Sequence, residues 1–183
     1  EARREGDWVA VAMALDSQMR LFHQAGNTDG IRGTFRELRD CIASGNREAE
    51  CLANASLAMS ILFGDPSEGL VAAREAVRIA DEESYDQHLL KAQTRLIVVL
   101  LYRGQMGLDS TQVLVAAARR RAVASGDLGQ RIMLEANLGS YFAEEGHLDV
   151  AERTYDGIAE AFRNAEARVP KFNYLVNRAS LAR

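Results

Sequence analysis

Residues 138–155 read LGSYFAEEGHLDVAERTY. An amphipathic run closes on Gly146, and a second run follows at once, with Ala151 and Tyr155 four residues apart on one helical face. Glycine is a poor helix former and sits easily at positive φ, so Gly146 is predicted to end one helix and open a turn. The punctuation recurs. Gly26, Gly64, Gly104 and Gly146 are spaced 38, 40 and 42 residues apart, and each closes a long, Ala-rich amphipathic segment. A period of that size is expected of stacked helical hairpins.

Composition agrees with a folded helical chain. Of 183 residues, 48% are hydrophobic and 26% charged, which excludes a disordered segment. Only two prolines occur, Pro66 and Pro170, both at expected helix starts. The net charge of -4 argues against direct nucleic-acid binding, which draws its affinity from a basic surface. The longest apolar run, Leu96 to Tyr102, is too short to span a bilayer, so no membrane partner is expected. Cys41 and Cys51 form no C-x-x-C pair and no secretory segment is present, which points to reduced thiols and a cytoplasmic location. The chain opens on Glu1 and stops at Arg183 inside a helical pattern, so it is expected to be a piece of a longer polypeptide.

Helix starts are marked by side chains that can accept from orphan backbone N–H groups. Asp65-Pro66-Ser67-Glu68 offers a cap, a proline at the first helical position and a glutamate at the third. Ser84 with Gln87, Asp109 with Gln112, and Asp127 with Gln130 repeat the capping-box spacing, while Thr28 or Asp29 and Asn46 are further caps. Helices are accordingly predicted over 7–25, 28–44, 47–63, 66–82, 85–103, 109–125, 128–145, 149–167 and 170–182. Short connections make neighbours antiparallel. The units are 7–45, 46–83, 84–126 and 127–167, followed by a final helix over 170–182, all within one domain covering 1–183.

Leu138-Gly139 followed by Phe142, Gly146, Ala151 and Tyr155 matches the offsets of the tetratricopeptide repeat, and here the chain resembles that family. Weaker copies are Gly64, Ala73 and Ala76, then Leu96, Leu100 and Gly104. The period exceeds the family's usual 34, and the family's tryptophan position is Glu135. Such long, divergent units resemble those of large bacterial transcription regulators and signalling proteins. The resemblance implies an all-α fold, a right-handed α-solenoid of about four antiparallel hairpins plus a C-terminal helix. It also implies that the first helix of each hairpin lines a concave surface.

No catalytic set is legible. His23, His88 and His147 lie in different repeats, H-E-x-x-H is absent, and there is no phosphate loop or G-x-S-x-G, so neither enzyme activity, metal nor cofactor is expected. The acidic run Asp81-Glu82-Glu83 with Asp86 reads as charge beside a helix N-terminus. Arg119-Arg120-Arg121 spreads over about 200° of a helix and reads as a solvated face.

Candidate binding residues fall on the first helices. Asn54, Asn137 and Asn177 each sit inside one, where Asn is a poor helix former. The resemblance implies that Asn137, nine residues before Gly146, bonds an extended peptide; the other reading is that these amides bond between neighbouring helices. Lys91 and Arg95 in the third unit and Arg20 in the first are the contributors available to a carboxylate clamp, an incomplete set. The helix 96–102 is apolar all round, so either it is covered on both sides or Val98, Leu101, Tyr102, Ile61 and Leu62 form an apolar groove. Two functions follow. One is a scaffold that grips a protein, a peptide or another domain of its parent chain. The other is a sensor whose small-molecule effector controls an attached regulator. Helix 170–182, lacking a second helix, is expected to pack on its predecessor or to form a homodimer.

Overall fold

The computed structural model describes residues 6–63, 66–102 and 108–164, with side chains for all of these except 62, 63, 66, 108–111 and 160–164. Among the described residues the fold is all-helical. The elements are α1 (Trp8–Gln24), α2 (Thr28–Ala43), α3 (Arg47–Leu57), a 3₁₀ segment (Ala58–Phe63), α4 (Pro66–Glu82), α5 (Asp86–Tyr102), α6 (Leu108–Ser125), α7 (Leu128–Glu144) and α8 (Leu148–Asn164). The expected turns at Gly64 and Gly104, the Asp65 cap and the helix over 170–182 lie outside the described residues, whereas Asp109, expected as a cap, falls inside α6, which already begins at Leu108.

Two compact units are formed, Glu1–Arg103 with α1–α5 and Gly104–Arg183 with α6–α8. The division falls within the third expected hairpin. No described helix is long and apolar enough to cross a membrane.

The caps explain where helices begin. Asp7 accepts from Ala10 N, Asn27 from Gly30 N, Asn46 from Ala49 N and Asp127 from Gln130 N, all at 2.9 Å. Asn27, and not Thr28 or Asp29, therefore caps α2, because its carboxamide is one residue nearer the turn. Ser84 is not a cap either. Its φ is 56°, and its carbonyl accepts from Asp86 N at the start of α5. Left-handed backbone costs a non-glycine residue about 1–2 kcal/mol. Ser84 thereby completes a series the glycines alone do not show: Gly45, Ser84 and Gly126 are left-handed at intervals of 39 and 42 residues, with left-handed Gly26 before them and Gly146 after.

In the first unit α1 packs on α2 and α3, α3 on α4 and α5, and α4 on α5. The core joins Leu15, Met19, Ile31, Phe35, Leu38 and Leu57, spaced three and four apart along their helices. Where α3, α4 and α5 meet, Ala55, Ala76 and Ala92 face one another, and small side chains allow that approach. The predicted helix 47–63 tightens to 3₁₀ after Leu57, beside α4: a Cβ on Gly69 would lie 2.9 Å from the Ala58 carbonyl.

In the second unit α7 packs on both α6 and α8. Tyr155 is 1% exposed over Gly139, where a Cβ would come within 2.6 Å of its ring, and the phenol meets Ser140 Oγ at 3.1 Å. The repeat-like spacing of Gly139, Ala151 and Tyr155 thus has a packing cause. Glu135 is fastened to Arg119 of α6 by two hydrogen bonds of 2.6 Å, so that arginine is paired across two helices rather than simply solvated.

Candidate functional site on α1, α3 and α5

Asp16 is a buried charge, 3% exposed on the core side of α1. Its oxygens are surrounded. Ser56 Oγ donates to Oδ1 at 2.8 Å from the end of α3. Lys91 Nζ reaches Oδ2 at 3.0 Å from α5, and Arg20 Nη2, one turn along α1, reaches it at 3.2 Å. Arg95, one turn beyond Lys91, stands with Nη2 at 3.9 Å from Oδ1 and donates from Nη1 to the Met59 thioether at 2.9 Å. The helices carrying the cations both pack on α3, so side chains from α1 and α5 meet across it.

Burial of the carboxylate raises its pKa, but Lys91, Arg95 and Arg20, with the Ser56 hydrogen bond, outweigh that and hold Asp16 below its ordinary value. The cations fare differently. Burial pulls Lys91 down more than Asp16 restores, and Arg95 and Arg20 repel it further. Arg95 is lowered for the same reasons: burial first, then incomplete compensation by Asp16 and repulsion by Arg20. One carboxylate cannot neutralise three cations. The cluster keeps two formal positive charges in excess.

Arg20, Lys91 and Arg95 are thus brought together, and Asp16 and Ser56 are what the sequence reading lacked. The other candidates lie elsewhere. Asn54 is 6% exposed and donates to the Glu50 carbonyl one turn back, and Asn137, in the second unit, does the same to Met133 at 2.7 Å. Those amide hydrogens serve their own helices, not neighbouring ones. Asn177 and the Leu62 side chain lie outside the described residues. Val98 and Leu101 are buried, Ile61 is partly buried and Tyr102 is exposed.

Other charged groups have local work. The acidic run lies at the C-terminal end of α4, not at a helix N-terminus; Glu82 pairs with Arg78 and Arg47, and Glu83 with Arg47, which offsets the unfavourable dipole. Only Asp86 occupies a first turn. His88 Nε2 meets Glu48 at 2.7 Å between α5 and α3. Burial pushes the Cys51 thiol to about 11, so it is protonated at neutral pH and unsuited to nucleophilic attack. No group of His, Cys, Asp and Glu among the described residues could hold a metal ion.

No known protein family matches the chain, and no curated protein matches it.

Proposed function

We propose that this chain is a non-catalytic recognition scaffold, a right-handed α-solenoid of tetratricopeptide type whose helices α1, α3 and α5 offer a protein or peptide partner a shared face. The observation that carries this reading is the convergence of Arg20, Lys91 and Arg95 from α1 and α5 across α3. Lys91 and Arg95 are both largely buried and share the single Asp16 carboxylate with Arg20, and an outside anion would complete their pairing. The stacking of α1 on α3 and of α3 on α5 supports it, since repeats that contact their neighbours build extended binding surfaces. The parent protein is then a cytoplasmic bacterial regulator or signalling protein, with this chain as its interaction module.

Peptide-display selection on the immobilised chain tests this. Enriched peptides should bind wild type and lose at least about tenfold in affinity to Arg20→Glu, since a charge-assisted contact is worth about 1.5–3 kcal/mol. Failure to enrich any peptide, or equal binding to Arg20→Glu and Lys91→Gln proteins that retain their helicity, overturns the reading.

A further inference from the structure

We infer that the Arg20, Lys91 and Arg95 cluster is a subsite for a phosphoryl dianion. The inference names a ligand chemistry for the face proposed above and rests on that proposal. Three cations around one carboxylate leave a formal excess of two. A phosphate monoester carries close to that charge near neutral pH and presents three strong acceptor oxygens. A ligand carboxylate would cancel only half of the excess.

The donors are as under-used as the charge. Asp16 already takes Ser56, Lys91 and Arg20 at 2.8–3.2 Å and has little left for Arg95. The Arg95 side chain is only 9% exposed, yet its hydrogen-bond partner is a thioether, a weak acceptor, and its carboxylate partner is at 3.9 Å. A buried guanidinium is ordinarily satisfied by a carboxylate or phosphate through paired N–H bonds. Access is open from one side: the Arg20 side chain is 53% exposed and that of Lys91 17%. Asp16 holds the cations in position while also repelling an incoming anion. Its two effects separate under substitution, because Asp16→Asn keeps the shape and removes the repulsion.

Titration calorimetry of the full chain with inorganic phosphate at pH 8 and fixed ionic strength, with acetate as comparator, provides the test. Phosphate should bind saturably and at least about tenfold more tightly than acetate, as expected if one further charge-assisted contact is made. Arg20→Gln and Lys91→Gln should each weaken phosphate about tenfold, and Asp16→Asn should tighten it several-fold. Arg20 lies on the exposed side, so its variant decides the matter even if a buried substitution disturbs folding. A phosphoserine peptide binding more tightly than phosphate, with its unmodified form inert, assigns the phosphoryl group to a protein partner; phosphate binding as well as the peptide assigns it to a free small molecule. Equal binding of acetate overturns the phosphoryl assignment. Absence of phosphate binding, or binding unchanged by Arg20→Gln, overturns the subsite, and display-selected peptides that still bind wild type would leave the recognition scaffold standing.

Discussion

Adding one methyl group at Gly139 should destabilise the second unit, although helix propensity alone predicts the reverse. Gly139 lies inside α7, where alanine is favoured over glycine by about 0.8–1 kcal/mol. Its Cβ, however, would fall 2.6 Å from Cε1 and 2.7 Å from Cζ of Tyr155. Carbon atoms settle at about 3.5–4.0 Å, so the ring must retreat by about 1 Å. It has little freedom to do so, being 1% exposed and bonded to Ser140. Overpacking of this kind costs about 1–3 kcal/mol, leaving Gly139→Ala a net loss of up to about 2 kcal/mol after the propensity gain. Gly157 is the internal control. It lies in α8 with nothing within 4 Å of its would-be Cβ, and Gly157→Ala should gain about 0.5–1 kcal/mol.

Native-state hydrogen exchange at the amides of α7 and α8 reads both changes without assuming that the two units unfold together. A change of about 1.4 kcal/mol is tenfold in protection. Tyr155→Leu supplies the second arm, since it removes the atoms that Gly139→Ala would strike. In that background the alanine should be neutral or stabilising. Gly139→Ala raising protection as much as Gly157→Ala does, in otherwise wild-type protein, would refute the close approach of α7 and α8.

Further outcomes follow at three sites. Ser84→Gly should stabilise by up to about 1 kcal/mol, because relief of the left-handed strain exceeds the unfolded-state entropy that glycine adds; a melting temperature that falls would contradict this. Asp16→Ala strands Lys91 and Arg95 and should cost about 3–5 kcal/mol in urea unfolding. Because the folded-state pKa of Asp16 is depressed, its contribution is complete above the ordinary 3.8 and is lost as pH falls through the lower folded value; a stability gap between wild type and Asp16→Asn that widens on acidification would be inconsistent with that sign. A double-mutant cycle on Arg119 and Glu135 should give a coupling of about 0.5–1 kcal/mol that shrinks in high salt, and a coupling of zero would make their two hydrogen bonds incidental.

Helix existence and limits were legible because they depend on local terms. The caps at Asn46 and Asp127 and the turns at Gly26 and Gly146 act within a few residues of themselves, and the predicted spans of α4 and α5 match to within a residue. Local rules misled where two turn types compete. Serine is both a good cap and an occasional left-handed residue, and at position 84 packing of Tyr85 and Leu89 against α4 selects the second role. Glu135 read as a departure from a motif until Arg119 supplied its partner from the preceding helix.

The charged cluster shows where periodicity stops. Helical spacing places Lys91 with Arg95 and Asp16 with Arg20, each pair one turn apart, and that much a helical wheel contains. Whether the pairs face each other depends on how α1 and α5 are rotated about their own axes where they pack on α3. That rotation is set by side chains such as Leu15, Met19, Leu52 and Leu57, whose volumes interlock over contacts remote in sequence. Asp16 and Lys91 are 75 residues apart, and nothing near either marks it as the other's partner. Nor does composition mark the excess: the chain as a whole is acidic by four charges, while this partly buried cluster is formally cationic by two. The sign of a recognition surface is fixed by which charges the core leaves uncompensated, and net charge averages that information away.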